Sequence, residues 1–141
     1  MFLLRSLILV VMVLPLADCS FGSGSPIHIV VPRNYRGEFR IVESPESADI
    51  PMHKGKYVCL IPRDGKLLMR SLGPFHQRHM QSIVFDDGTI PKAYDHPAQA
   101  LPDEFAVVGG GIRSSDASGP EMYFFIGTAT EVVRSLSVLS K

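Results

Sequence analysis

The sequence is poor in the features on which many small-protein chemistries rest. It has two cysteines, Cys19 and Cys59, in 141 residues, too few for a miniature scaffold stapled by several disulfides. It has no excess of either charge: 14 Lys+Arg stand against 14 Asp+Glu, which argues against a polybasic nucleic-acid binder. The nearest thing to a basic patch is Arg33, Arg36 and Arg40, and Glu38, Glu43 and Glu46 dilute it. Neither phosphate backbones nor anionic headgroups are favoured partners. One long apolar run occurs, within an uncharged stretch from Ser6 to Ala17. A helix crossing a bilayer needs about 20 such residues, so a stable membrane span is disfavoured.

Catalytic signatures are missing as well. No Gly-x-Ser-x-Gly elbow occurs. Gly109-Gly110-Gly111 lacks the Gly-Lys-Ser/Thr ending of a phosphate loop and the spacing of a dinucleotide fingerprint, so a strand bend or bulge is its expected role. The carboxylate pairs Asp86-Asp87 and Asp103-Glu104 adjoin turns, where they cap backbone N–H groups. His76-Gln77-Arg78-His79 lacks the glutamate of the helical zinc-protease motif. No catalytic residue, cofactor or metal is therefore expected, and the chain reads as a non-enzyme. The competing alternative is a small metal-dependent envelope hydrolase. In it His76 and His79 join His96, or the Asp86-Asp87 pair, in a mixed nitrogen and oxygen site.

What is present begins with an address. Residues 1–18 carry fourteen apolar positions and only two charges, Arg5 and Asp18. A short basic start, an apolar run from Leu7 to Leu14 and a following Pro15 have the plan of a secretory signal peptide. Removing it leaves 123 residues with 13 basic and 13 acidic side chains, so neutrality holds for the mature chain. Leu16-Ala17-Asp18-Cys19 resembles the bacterial lipobox, with Cys19 as the lipid attachment site; Asp18 departs from the small residue normal there. The alternative is an ordinary signal-peptidase cut between Ala17 and Gly22. Residues 19–26, rich in Ser and Gly, read as a flexible tether. Residues 27–141 read as a single β-rich domain with no internal repeat. Cys59, inside the apolar run Tyr57-Val58-Cys59-Leu60-Ile61, is expected to be an inert core thiol.

Glycines and prolines break that domain into strand-length pieces. Ile27–Val31 is β-branched and ends at Pro32. Arg36–Glu43 alternates, with Phe39 and Ile41 on one face and Glu38, Arg40 and Val42 on the other. Lys56–Ile61 is apolar on both parities, as in a strand covered on both sides. The turn Pro62-Arg63-Asp64-Gly65 predicts a hairpin with Lys66–Arg70. Ile83–Phe85, Phe105–Val108 and Met122–Ile126 complete the strands, while Ile90–Pro102 reads as an irregular loop. Thr128 and Glu131 spell a capping box, and Val132, Val133, Leu136 and Leu139 recur at helical spacing. The expected fold is all-β, an antiparallel β-sandwich of six or seven short strands with one short C-terminal helix. The alternative is α+β, with that helix packed on one sheet.

Pro32-x-x-Tyr35-x-Gly37-x-x-x-Ile41-Val42, then Gly55-x-Tyr57, Ile61-Pro62-x-Asp64-Gly65-x-Leu67 and Tyr123-Phe124-Phe125-Ile126-Gly127-Thr128 together resemble a family of small exported bacterial proteins, a domain of unknown function. The likeness spans about residues 27 to 135. The first half also resembles transthyretin-like or carboxypeptidase-regulatory β-sandwich modules, which implies a sandwich and no catalytic residues. The resulting expectation is an exported protein, lipid-anchored or secreted, acting as a non-catalytic binding or structural module at the cell envelope, in the periplasm or on the outer surface. Its partner would be an envelope protein or ligand engaged through the Gly73–Pro102 loop or a sheet edge, with membrane attachment only through Cys19. A purely structural subunit would show an exposed apolar strip along one sheet edge.

Overall fold

A computed structural model describes residues 24–115 and 119–139. The expected signal peptide, Cys19 and the tether up to residue 23 lie outside the described residues. Residues 24–26 run along the body: the Gly24 N–H donates to the Arg78 carbonyl at 2.7 Å, and the Pro26 carbonyl accepts from Tyr57 N–H at 2.8 Å.

Among the described residues nine strands form two sheets. The first holds β1 (Ile27–Val31), β3 (Met52–His53), β4 (Lys56–Leu60) and β6 (Gln81–Phe85) in the order β3-β4-β1-β6. The second holds β2 (Gly37–Glu43), β5 (Lys66–Met69), β7 (Lys92–Tyr94), β8 (Phe105–Ser115) and β9 (Gly119–Thr128) in the order β5-β2-β9-β8-β7. A single helical turn, α1 (Gly73–His76), precedes β6, a 3-10 turn spans Pro97–Gln99, and α2 (Ala129–Leu139) follows the last strand. The chain is thus mostly β, with two sheets and one short C-terminal helix.

The sheets are mixed, which corrects the antiparallel expectation. β1 runs parallel to both β4 and β6, β2 parallel to β5, and β7 parallel to β8; β2–β9, β8–β9 and β3–β4 are antiparallel. Parallel neighbours need a crossover between them, and no helix serves that purpose here. Instead the chain alternates between sheets: β1 leads to β2 in the other sheet, β4 to β5, and β5 back to β6. For β1–β4, β1–β6 and β2–β5 a strand of one sheet is the crossover of the other, whereas the parallel β7 and β8 are joined through the 3-10 turn at Pro97–Gln99.

The same alternation overturns the hairpin expected from Lys56–Ile61 and Lys66–Arg70. The turn itself forms, with Gly65 N–H donating to Pro62 C=O at 2.9 Å. Its two ends are claimed by different partners, however: Ile61 N–H bonds the Val30 carbonyl, and Arg40 N–H bonds the Gly65 carbonyl. The turn therefore steps from sheet to sheet. Nor is β4 covered on both faces, since Leu60 stands 61% exposed. Three further features lay beyond sequence reading: the two-residue β3, β7 inside the expected loop, and the extension of the β8–β9 pair out to Ser115 and Gly119.

One apolar cluster joins the sheets. Ile27, Ile29 and Val31 of β1 and Cys59 of β4 meet Phe39 and Ile41 of β2, Val107 of β8 and Met122, Phe124 and Ile126 of β9. Phe39 stacks on Phe124 at 5.0 Å, and Phe85 on Phe105 at 6.2 Å. Each fully buried side chain of this size contributes about 1.5–3 kcal/mol, so the strand alternation read from Ile27–Val31 and Phe39/Ile41 is what the core is made of.

Candidate functional site

β9 sends Met122, Phe124 and Ile126 into the core, and Tyr123 and Phe125 therefore emerge on the other face of its sheet, as alternation requires. That face is partly roofed by α2. The helix starts where Thr128 and Glu131 form the capping box: Glu131 N–H donates to Thr128 Oγ1 at 3.2 Å, and Thr128 N–H donates to Glu131 Oε2 at 2.7 Å. Its Val132 is buried and lines, together with Val108, Tyr123, Phe125 and Pro97, a hollow of about 200 Å³. Glu38, Asp95, His96 and Ser135 supply its polar groups.

The third wall is bare backbone. Between Val108 and Gly111 the β8–β9 register slips, the bulge expected of the triple glycine. Gly109 has φ of +73°, a left-handed conformation that a side chain makes costly, and a Cβ on Gly110 would lie 2.9 Å from the Phe124 ring. Asp95, Gly109 and Gly110 also line a second hollow of about 200 Å³ on the far side of the bulge, with Gln81 and Met122.

Beside the groove lies a charge tetrad. Glu121 is only 4% exposed. Its Oε1 accepts from Arg113 Nε at 2.5 Å, and its Oε2, which accepts no hydrogen bond among the described residues, lies 3.5 Å from Arg40 Nη1. Arg113 also donates to both carboxylate oxygens of Glu38, at 2.7 and 3.4 Å, and Arg40 lies 3.7 Å from Glu38. The Arg113 guanidinium rests 4.5 Å over the Tyr123 ring, and hydrogen bonding to Glu38 pushes its pKa up. Two cations and two carboxylates leave the tetrad neutral.

The histidines named from sequence do not assemble. His76 is exposed at the end of α1. His79 donates from Nδ1 to Gln77 C=O at 2.6 Å and meets Phe75 edge-on. His96 caps the 3-10 turn, its Nδ1 accepting from Ala98 N–H at 3.1 Å while its own N–H donates to Gln99 Oε1. Asp86 and Asp87 hold turns, accepting from Arg33 N–H and Thr89 N–H. Among the described residues no three His, Cys, Asp or Glu side chains come together as a metal site would need. Cys59 is 1% exposed, and burial pushes its thiol up to about 12, the opposite of what a nucleophile requires. Cys19 lies outside the described residues.

Of the expected binding loop, residues 95–97 do reach the groove. Sequence reading missed Tyr123, Phe125, Val108 and Val132. A signal for the aromatics existed: once Met122, Phe124 and Ile126 fill the inner face, the remaining parity leaves two rings with nothing to bury them.

A different surface carries exposed apolar residues. Leu60 (61%) and Leu68 (47%) stand open around a hollow that Ile50, Pro51, Val58 and Leu67 complete.

No protein family and no curated protein matches the chain. Among solved structures, the 2.75 Å crystal structure of a protein described as "Putative Lipoprotein from Bacillus anthracis" aligns with a TM-score of 0.42 and 16% identity, over 73% of this chain and 70% of that one. A likeness so distant assigns neither fold nor function.

Proposed function

We propose that the chain is an exported, non-catalytic binding module of the cell envelope, anchored through a lipid on Cys19, and that the groove beneath α2 is its binding site. The observation that carries the binding reading is the groove itself: Tyr123 and Phe125 open on one side of a sheet, walled by α2 and by a glycine bulge that leaves backbone accessible. Concave, mostly apolar sites with a few placed polar groups are where proteins hold ligands. The export reading rests on residues 1–19. Two experiments test these parts. Replacing Ser135 by Trp to fill the groove should abolish recovery of whatever the wild type retains from detergent-solubilised membranes; unchanged recovery would end the groove reading. Intact mass of the mature protein should show acylation that Cys19→Ser removes, and an unmodified wild type would end the lipoprotein reading.

A second reading has its own support. The open Leu60 and Leu68 form the apolar strip that a structural subunit held by a larger partner would present. Leu60→Lys with Leu68→Lys should then release the partner while Ser135→Trp retains it.

A further inference from the structure

We propose that the groove recognises a small, phosphate-free quaternary ammonium compound. The inference rests on the groove being the binding site and adds the chemistry of its ligand. Size comes first. A hollow of about 200 Å³ falls below the roughly 300–1,000 Å³ of sites for drug-sized ligands, so it suits one compact group.

Charge comes next. Glu38 is neutralised by Arg113 and Arg40, and Glu121 by the same two arginines. Asp95, by contrast, has no ion-pair partner among the described residues, and it borders the hollows on both sides of the bulge. His96 Nδ1 accepts the Ala98 N–H as the cap of the 3-10 turn. The groove thus carries at its solvent-exposed Asp95 one carboxylate without an ion pair among the described residues, and a monocation complements it.

The lining decides which cation. Tyr123 and Phe125 line the groove with aromatic rings, whose faces attract positive charge, and Arg113 already rests over the Tyr123 ring at 4.5 Å. A primary ammonium has three N–H donors to satisfy, and although Asp95, His96 and Ser135 supply acceptors, most of the lining is aliphatic and aromatic. A methylated ammonium has no such donors and meets apolar walls favourably. A phospholipid headgroup of the same cationic type would bring a phosphate, and the two arginines beside the groove are already paired with carboxylates, so a phosphate would find none free.

Titration of the mature protein with choline chloride and with its neutral isostere 3,3-dimethyl-1-butanol, followed by calorimetry and by the ring signals of Tyr123 and Phe125, tests this. Choline should bind at least about tenfold more tightly than the isostere, and Asp95→Asn should weaken choline about tenfold while leaving the isostere unchanged. Equal binding of the two compounds would overturn the cation inference and leave an apolar binding groove standing. Binding of neither would also overturn it, and the Ser135→Trp recovery experiment then says whether the groove reading falls too. Phosphocholine binding as tightly as choline would overturn the phosphate-free assignment. Comparing two ligands on the unaltered protein keeps the test independent of any variant's folding.

Discussion

The phenol of Tyr35 closes directly over Gly65, so that a Cβ on Gly65 would overlap the Tyr35 hydroxyl. That hydroxyl donates to the Glu38 carbonyl at 2.6 Å, and Gly65 has φ of +75°. The loop after β1 and the turn after β4 are locked together at this point, where the chain passes between sheets. Gly65→Ala should therefore incur both left-handed strain and a clash, costing about 2–4 kcal/mol. Tyr35→Phe should cost about 1 kcal/mol, the worth of one hydrogen bond. Urea unfolding measures both, and a Gly65→Ala loss smaller than that of Tyr35→Phe would contradict the packing described.

Arg113 donates the hydrogen bond that Glu121 accepts in its buried position, and its removal leaves that carboxylate only the ion pair with Arg40. Arg113→Met should destabilise by about 3 kcal/mol, and the double variant Arg113→Met with Glu121→Met should regain most of it, because replacing a buried pair by apolar groups is often neutral. Thermal or denaturant melts of the three proteins decide this; additive losses in the double variant would mean the two side chains do not act as a pair.

The α2 cap gives a pH signature. The Thr128 N–H bonded to Glu131 holds that carboxyl below its usual value of 4.5, and Lys92 does the same for Glu104. A carboxyl whose folded pKa is depressed adds stability that is complete above its unfolded value and lost as pH falls through the folded one. Stability should accordingly fall on acidification below about pH 4.5. The stability difference between wild type and Glu131→Gln should be largest near neutrality and vanish in acid. Thr128→Ala, which removes the other half of the cap, should cost about 1 kcal/mol at pH 7.

Cys59 should be silent. With its thiol pushed up to about 12 and its side chain enclosed, iodoacetamide at pH 8 should label it only as fast as the protein unfolds, and fully in denaturant. Rapid labelling of the native protein would show that the β1–β4 face opens.

Much of this architecture was legible in the residues. β1 matches Ile27–Val31 end to end, Phe39 and Ile41 face the core as their alternation says, and the Thr128/Glu131 box starts a helix. These features are local: they depend on period-two burial or on atoms three residues apart. The groove was legible only in pieces. Residues 95–97 were within the loop singled out, the triple glycine was read as a bulge, and the outward parity of Tyr123 and Phe125 could be counted. No local pattern says that these three segments meet, or that the histidines at 76, 79 and 96 stay apart.

By itself the sequence determined most of the stretches that extend, which side of β1 is buried, that Phe39 and Ile41 face the core, where the last helix begins and that Cys59 lies in the core. Only the tertiary structure decided which strand pairs with which. Backbone hydrogen bonding is indifferent to sequence, so Lys56–Leu60 and Lys66–Met69 are each as able to pair with each other as with β1 and β2. The choice was made by the shared core, which is filled when Ile61 and Gly65 bond to different sheets, and that choice turned an expected antiparallel stack into two mixed sheets.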